Sequence, residues 1–353
     1  MKIGILTFHA AHNYGAVLQC YALQTYLCSK GHDVSIIDYR QNYLLQCYRW
    51  FKFKSIVKSL FHFGLFRSIK QIEVKKLRYD AFQRFIQKYE RLAPTTTIQK
   101  TPYDYIIIGS DQVWSTRLTN GYDKYYWGYF EKPMNTKVIS YAASLELLWP
   151  ESDDRKVAAL LNAFEKISTR EEIVAKKIRS LLPNKKVETV VDPTLLLDKV
   201  MWSKISEEPK VNVRYVLYYQ VRQSQIGKEL AEKIAKLKGI KVIVLSASTD
   251  LYNSPECYGA SPGLFIGLIK NADFIVSSSF HGTVFSIIFE KPFVSINNMT
   301  KDSRVKQLLG NLNLSKRLLD DNHFEKDIFL NYKINKNTLY NYLQKSYRYL
   351  SEL

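Results

Sequence analysis

Cysteine is scarce in this chain: 353 residues contain only Cys20, Cys28, Cys47 and Cys257. No two of them form a C-x-x-C pair, which argues against a disulfide framework and against a structural zinc site. No stretch approaches the roughly 18 apolar residues that a membrane span needs. The apolar start M-K-I-G-I-L-T-F-H-A is too short for a signal peptide, and polar histidines follow it. We therefore expect a reduced, soluble, cytoplasmic protein.

Acidic residues are also few relative to basic ones. Lys and Arg total 51 against 33 Asp and Glu, which leaves a net charge of +18. This excess implies an anionic partner, and nucleic acid, a membrane surface and phosphorylated small molecules all qualify. A hydrophobic content of 46% excludes a disordered chain, and the length favours two domains.

Strand and helix patterns alternate along the chain. Residues 2–7 are typical of a buried strand, 16–30 of a helix and 34–38 of a second strand, which together form the unit of a parallel sheet. Residues 105–108 are a further strand candidate, and a second series of such elements, with a strand at 274–277, begins near residue 214. The sequence therefore predicts an α/β protein with two doubly wound, Rossmann-like domains facing a cleft. We place the domains at residues 1–202 and 203–336, with a final helix, 337–353, that packs back on the first domain.

A basic segment interrupts this alternation in the first domain. Residues 47–100 contain 13 Lys and Arg against 3 acids, a net charge of +10, and are expected to form a helical insertion. Two interpretations of its first part remain open. It can lie in the headgroup layer of an anionic membrane, at the inner face of the cytoplasmic membrane, or it can pack its aromatics on the sheet. No binding motif accompanies the charge, so nucleic acid is not favoured. The interleaved aromatic and basic residues are Tyr48, Arg49, Trp50, Phe51, Lys52, Phe53, Lys54, Lys58, Phe61, Phe63, Phe66, Arg67 and Lys70.

Polar residues follow the predicted strands, where open α/β sheets bind their ligands. In H-A-A-H-N-Y-G-A, Asn13 and Gly15 stand where a helix N-terminus can present N–H groups to an anion, although an ordinary capped loop is the alternative. The stretch is not G-x-G-x-x-G, so a dinucleotide is not indicated. In G-S-D-Q-V-W, the residues Ser110, Asp111 and Gln112 offer polar contacts to a substrate.

Arg170 follows the predicted strand 167–169. An arginine at a strand end can bind carboxylate or phosphate with two parallel hydrogen bonds. The alternative is an ion pair with Glu171 or Glu172. In the later stretch V-D-P-T-L-L-L, Asp192 is interpreted as fixing a turn.

The strongest local pattern lies in the second domain, in N-A-D-F-I-V-S-S-S-F-H-G-T-V-F-S. A buried strand is followed at once by His281 and then by an apolar helix. A histidine at such a position can meet a phosphate or move a proton near neutral pH, although a structural role is the alternative. Ser278, Ser279, Gly282 and Thr283 are candidates for phosphate binding or for capping the helix.

The ordered set of stretches N-Y-G-A-V-L-Q, G-S-D-Q-V-W, V-D-P-T-L-L-L and S-S-S-F-H-G-T-V-F-S resembles the polysaccharide pyruvyl transferase family, from residue 1 to about residue 314. This resemblance implies a glycosyltransferase-B-like fold, with the acceptor on the first domain and the donor on the second. It implies transfer of a pyruvyl group from phosphoenolpyruvate to a sugar of a surface-polysaccharide precursor, as a cyclic ketal. The acceptor would be a lipid-linked or free oligosaccharide, including galactose-containing ones. By resemblance, His281 acts in catalysis and Arg170 is a basic residue near the donor; neither a metal nor a cofactor is expected.

One position departs from the family pattern. Several relatives carry Arg two residues before the motif histidine, where this chain has Ser279. A cation for the donor must then come from elsewhere, and Arg304 and Lys306 are the candidates. Two other functions remain open: a nucleotide-sugar-dependent glycosyltransferase of the same architecture, and a non-catalytic binding protein on the membrane.

Overall fold

The computed structural model describes residues 1–48, 72–145, 147–296, 303–319 and 332–353. The chain divides into two compact units. The first comprises Met1–Tyr48, Ile86–Leu197 and Tyr340–Leu353, and the second comprises Arg49–Phe85 and Asp198–Leu339.

The first unit is built on a parallel sheet with the order β3-β2-β1-β4-β5. Two further parallel strands, β6 and β7, continue from β5 through bridges at Ile139–Lys166 and Ala143–Thr169. Interior strands such as β4, with the sequence Y-I-I-I, are apolar throughout because helices cover both faces of a parallel sheet. The strands are β1 (Lys2–Leu6), β2 (Asp33–Asp38), β3 (Leu92–Pro94), β4 (Tyr105–Ile108), β5 (Lys137–Ser140), β6 (Ile167–Thr169) and β7 (Val187–Thr189).

The described residues of the first part of the chain form seven α-helices. Most residues of α1 are buried, and the helix packs beside β2. The core includes an indole stack, in which the ring centroids of Trp114 and Trp127 are 5.3 Å apart. The helices are α1 (Tyr14–Ser29), α2 (Asn42–Tyr48), α3 (residues 72–89), α4 (Thr97–Lys100), α5 (Thr116–Thr119), α6 (Asp154–Leu161) and α7 (Glu172–Leu181), with 3₁₀ turns at Glu151–Asp153 and Pro193–Leu196.

The second unit has its own parallel sheet, with the order β12-β11-β10-β8-β9. Every residue of β8 and β10 is buried. The strands are β8 (Tyr215–Gln220), β9 (Lys241–Ser246), β10 (Phe274–Ser277), β11 (Phe293–Ile296) and β12 (Leu318–Leu319). The helices are α8 (Lys199–Ser203), α9 (Gln225–Lys238), α10 (Pro262–Asn271), α11 (Phe280–Ile288) and α12 (Ser303–Asn311), with 3₁₀ turns at Pro255–Cys257 and Ser315–Arg317.

The last helix, α13 (Lys336–Ser351), brings the C-terminus to the first unit. The Tyr349 hydroxyl donates to the carbonyl of Ser140 at 2.8 Å, and Lys166 Nζ donates to the carbonyl of Tyr349 at 2.8 Å. The amide of Val191 donates to Ser346 Oγ at 2.9 Å. These bonds tie α13 to Ser140 at the end of β5, to Lys166 just before β6 and to Val191 just after β7.

The basic segment is divided differently from the expectation. We expected residues 47–100 to be one helical insertion in the first domain, but α3 belongs to the second unit up to residue 85, and Leu92–Pro94 forms the edge strand β3 of the first sheet. Arg78 on α3 donates to the carbonyls of Ser246 at 2.9 Å and Ala247 at 2.7 Å, beyond the end of β9.

The aromatic and basic part of this segment, residues 48–70, falls almost wholly outside the described residues, so its membrane role stays a prediction. Within the described ranges, none of the helices is both long enough and apolar enough to span a membrane. The expected fold class, two doubly wound α/β units with parallel sheets, is confirmed.

Candidate active site

A buried hydrogen-bond network joins the strand ends of the first unit. Gln19 Nε2 donates to Thr7 Oγ1 at 2.9 Å, and Thr7 Oγ1 donates to the carbonyl of Ser110 at 3.0 Å. Ser110 Oγ donates to the carbonyl of Ala142 at 3.1 Å and accepts from Arg170 Nη2 at 2.5 Å. Two of the sequence motifs, N-Y-G-A-V-L-Q and G-S-D-Q-V-W, therefore meet beyond the ends of β1 and β4.

Arg170 forms an ion pair inside this network. Its Nη2 lies 2.7 Å from Asp192 Oδ2, and the two side chains are only 4% and 0% exposed. Asp192 Oδ1 accepts from the amide of Thr194 at 2.9 Å and from the Thr194 hydroxyl at 2.5 Å, so the carboxylate also caps the turn that follows. The positive charge of Arg170 is thus matched by a negative charge where it lies.

The two carboxylates expected as alternative partners of Arg170 make hydrogen bonds to other residues. Glu171 Oε1 accepts from Ser144 Oγ at 2.6 Å. Glu172 accepts from Arg179 Nη1 at 2.9 Å and from the Thr189 hydroxyl. The sequence did not identify Asp192 as the partner of Arg170. The D-P-T stretch marked Asp192 only as a turn residue.

Asn13 is the N-cap of α1. Its Oδ1 accepts from the amides of Gly15 at 2.9 Å and Ala16 at 3.3 Å, which satisfies donors that a helix N-terminus leaves unpaired. The capped-loop interpretation therefore accounts for the side-chain oxygen of Asn13 and for the position of Gly15, which is buried in the first turn.

The neighbouring His9 is fully buried and makes a side-chain pair. Its Nε2 lies 2.9 Å from Asp38 Oδ1, which Arg40 Nε also contacts at 2.6 Å. The hydrogen bond from His9 and the contact with Arg40 hold the pKa of the Asp38 carboxyl well below its usual range. This pair fastens the loop after β1 to the end of β2.

The loop after β4 is held in an uncommon backbone conformation. Gly109 has φ 112°, and a Cβ there would clash with the carbonyl of Tyr141. Asp111 has φ 68°, its carbonyl accepts from the amide of Ser144 at 3.0 Å, and its Oδ1 accepts from the amide of Gln112 at 2.9 Å. Both Asp111 and Gln112 are partly exposed, whereas Ser110 below them is fully buried.

In the second unit, His281 stands in the first turn of α11, beyond the end of β10. Its ring packs edge-to-face against Phe280, with centroids 5.2 Å apart, and the residue is 9% exposed. Ser279 is the N-cap, since its Oγ accepts from the amide of Gly282 at 3.4 Å. The Thr283 hydroxyl donates to the carbonyl of Ser279 at 3.0 Å, and Thr283 is fully buried. Ser279 and Thr283 thus serve the helix end itself.

Gly282 explains how α11 approaches the sheet so closely. A Cβ at this position would clash with Ser277 Oγ and would lie 2.7 Å from Tyr219 Cδ1, so no side chain fits. Ser278 remains partly exposed and accepts from the amide of Val221 at 3.2 Å. Of the predicted residues around the motif histidine, Ser278 keeps partial exposure, whereas His281 is only 9% exposed.

The structure separates the two candidate cations on α12. The Arg304 guanidinium lies 5.9 Å from the centroid of the Phe280 ring, which is itself packed against His281. Lys306 is exposed and stands two residues further on, about 200° around the helix. The fold therefore places the Arg304 guanidinium near Phe280, the residue before the motif histidine. Over the described part of the chain, no group of three or more His, Cys, Asp or Glu side chains could hold a metal ion.

Comparison with known sequences decides the family. The sequence model described as polysaccharide pyruvyl transferase matches residues 13–299. The chain belongs to this family. The resemblance drawn from the ordered motifs is thereby confirmed, while no curated protein matches the chain significantly.

The chain is similar to several solved structures at low sequence identity. UDP-GlcNAc 2-epimerase from Neisseria meningitidis, bound to UDP-GlcNAc, has a TM-score of 0.50 and 12% identity, with all of both chains covered. The Methanocaldococcus jannaschii enzyme of the same name has a TM-score of 0.48 and 13% identity, again over all of both chains. A heptosyltransferase from E. coli with ADP has a TM-score of 0.38 and 11% identity over 86% of this chain and 90% of its own. The expected glycosyltransferase-B-like architecture is confirmed as a fold.

Proposed function

We propose that the protein transfers the pyruvyl group of phosphoenolpyruvate to two hydroxyls of one sugar, forming a cyclic ketal. Membership of the family supports the transferase activity, and the observation that carries the assignment of its catalytic group is the place of His281. This histidine lies beyond the end of a buried parallel strand and in the first turn of α11, where open α/β sheets bind ligands.

The donor carries a carboxylate and a phosphate, so its site needs positive charge. The second unit offers Arg304 beside Phe280, the hydroxyl of Ser278, and the N-terminus of α11, whose dipole favours anions. Arg170 is less suited to direct contact with the donor, because it is buried against Asp192. We assign Arg170 to holding Ser110 and, through it, the loop that carries Asp111 and Gln112.

The reaction requires a proton on the methylene carbon of the donor. His281 would donate it, leaving an oxocarbenium-like centre that the first sugar hydroxyl attacks. A second hydroxyl of the same sugar then displaces phosphate. Two C–O bonds form, while the C=C π bond and the C–O bond to phosphate break. The two hydroxyls lose their protons to phosphate or to solvent, and one of these protons balances the proton that the methylene carbon gained, so no electrons are gained or lost. General acid catalysis of this kind contributes about 10² to 10⁴ in rate.

The acceptor in this proposal is a lipid-linked or free oligosaccharide of a surface-polysaccharide precursor. Attachment of the basic segment 48–70 to the inner face of the cytoplasmic membrane would bring the protein to a lipid-carried acceptor. Each basic side chain near an anionic surface contributes roughly 1 kcal/mol, and salt screens this attraction.

The test is transfer by the purified protein. We expect incubation with phosphoenolpyruvate and a panel of aryl or lipid-linked galactosides to give a pyruvyl mass increment and an equal amount of phosphate. His281→Ala should keep the fold and lose about 10² or more in turnover. His32→Ala, at a partly exposed histidine in the first unit, is the matched control and should behave as wild type.

Two results would redirect the assignment. Near-normal turnover by a folded His281→Ala protein would show that another group supplies the proton. A thermal shift with uridine or guanosine diphosphate, and none with phosphoenolpyruvate, would favour a nucleotide-sugar-dependent glycosyltransferase instead.

A further inference from the structure

The loop after β4 lies at the switch point of the first sheet. In the order β3-β2-β1-β4-β5 the chain proceeds outward in one direction from β1 and in the other from β4. The loops that follow β1 and β4 therefore diverge from each other, and open α/β sheets bind their ligands at such a point. Asp111 and Gln112 stand in one of these two loops, and both are partly exposed.

The backbone at Asp111 does not itself require a carboxylate. A non-glycine residue at φ 68° is uncommon, and asparagine adopts this region at least as readily as aspartate. The conformation is fixed by the Asp111 carbonyl, which accepts from the amides of Val113 at 2.8 Å and Ser144 at 3.0 Å. An asparagine at this position would satisfy the same geometry, so the negative charge calls for a reason other than the turn.

The charge of Asp111 is not matched by a nearby cation. Its Oδ1 accepts from the amide of Gln112 at 2.9 Å, and the described residues place no Lys, Arg or His within ion-pair distance of its carboxylate. Two other carboxylates at this edge have a cation within ion-pair distance, Asp38 with Arg40 and Asp192 with Arg170. In a chain with a net charge of +18, an unmatched, rigidly held carboxylate at a switch point points to a ligand.

The chemistry of such a ligand follows from the charge. A carboxylate repels the phosphate and carboxylate of phosphoenolpyruvate, but it accepts a strong, charge-assisted hydrogen bond from a neutral hydroxyl. The adjacent Gln112 amide can both donate and accept, as hydroxyl groups require. The loop therefore suits a saccharide better than an anion.

We infer that Asp111 binds a hydroxyl of the acceptor sugar and removes its proton as the oxygen attacks the pyruvyl carbon, an inference that rests on the proposed function. The C–O bond forms as the O–H bond breaks, and the proton passes to Asp111 Oδ2, which converts the carboxylate to a carboxylic acid. That proton later returns to solvent. Asp111 is thus the general base for the acceptor, while the donor receives its proton from a separate acid.

The decisive variant is Asp111→Asn, which keeps the size of the side chain, the oxygen that accepts from Gln112, and tolerance of the left-handed backbone. We expect an unchanged or higher melting temperature, a loss of at least about 10² in kcat, and a KM for phosphoenolpyruvate within about twofold of wild type. Asp198→Asn is the matched control: Asp198 is an exposed carboxylate whose Oδ1 also accepts a backbone amide, from Met201 at 2.8 Å. The control should retain full activity.

Activity of Asp111→Asn within about threefold of wild type would overturn the inference, as would a loss confined to weaker binding of phosphoenolpyruvate. A second measurement separates this failure from failure of the proposed function. If the wild-type protein transfers no pyruvyl group to any acceptor, saccharide binding without donor is measured by saturation-transfer NMR on the galactoside panel. Binding by wild type that weakens about tenfold in Asp111→Asn supports the saccharide site, whereas equal binding by both, or none by wild type, rejects it.

Discussion

The buried pair of Arg170 and Asp192 makes a quantitative prediction about stability. Asp192→Asn removes the negative charge but keeps an oxygen that can accept from the amide and hydroxyl of Thr194. The guanidinium of Arg170 would then stay buried beside a neutral amide. Breaking a buried pair by removing one charge costs about 3–5 kcal/mol, and the side-chain exposures of 4% and 0% place this pair in that class.

If the unpaired charge of Arg170 causes the loss of stability in Asp192→Asn, removing that charge as well should restore stability. Adding Arg170→Met to Asp192→Asn leaves no buried charge, and replacing buried pairs by neutral side chains is often nearly neutral in free energy. We therefore expect the double variant to recover at least about half of the loss, which a double-mutant cycle will report as a coupling energy. Arg170→Lys keeps the charge but not the planar fork, so it should lower both stability and turnover.

Urea titration followed by tryptophan fluorescence is the assay, since Trp114, Trp127 and Trp149 are buried in the first unit. Glu165→Gln supplies the matched control, because its pair with Lys137 at 2.9 Å is about half exposed on both sides and should leave the urea midpoint in place. A decrease of less than about 1 kcal/mol in the free energy of unfolding of Asp192→Asn would refute the reasoning, because a loss that small is typical of ion pairs exposed to water.

Two further predictions concern the pH dependence of stability and the membrane. Burial, with a smaller contribution from Asp38, raises the pKa of the Glu90 carboxyl well above its usual range, and among the described residues neither of its oxygens has a hydrogen-bond partner. The folded chain keeps a proton on Glu90 that the unfolded chain loses above about pH 5, so the free energy of unfolding falls as pH rises. Glu90→Met removes this dependence. Its free energy of unfolding should therefore rise relative to that of wild type by up to about 1.4 kcal/mol per pH unit between pH 6 and 8. An equal difference in unfolding free energy at both pH values would contradict this. For residues 48–70, sedimentation should show binding to anionic but not neutral liposomes, and weaker binding at high salt; equal binding to both kinds, or none, leaves the segment with a packing role.

The fold was predictable where strands are buried on both faces. Residues 105–108 and 274–277 were expected as strands and are β4 and β10, because short apolar runs rich in β-branched residues are typical of strands in a covered parallel sheet. The edge strands β3 and β12 were not predicted. β3 is three residues long and ends in Pro94, and β12 has two residues, so neither provides a pattern that distinguishes it from a loop.

The candidate site was predictable as a set of loops but not as a set of contacts. Asn13 and Ser279 were candidates either for substrate binding or for capping a helix, and both cap helices in the structure. The same groups and positions serve either purpose, since a helix N-terminus needs acceptors for its N–H groups whether a side chain or an anion provides them. Arg170 meets Asp192 because parallel strands bring their ends together, and no local spacing encodes that meeting.

The serine at position 279 also bears on where the cation for the donor must lie. A serine N-cap stabilises a helix by about 1 kcal/mol relative to alanine, whereas a cation at the same end opposes the helix dipole until an anion arrives. Ser279 therefore stabilises the N-terminal end of α11 when no ligand is bound, whereas an arginine at that position would stabilise it when an anionic ligand is bound. Arg304 lies on a different helix and is placed against the Phe280 ring, so it can supply positive charge beside His281 without replacing the cap. A cap on one helix and a cation on another satisfy the two demands separately, which is why the absence of the arginine does not by itself argue against an anionic donor.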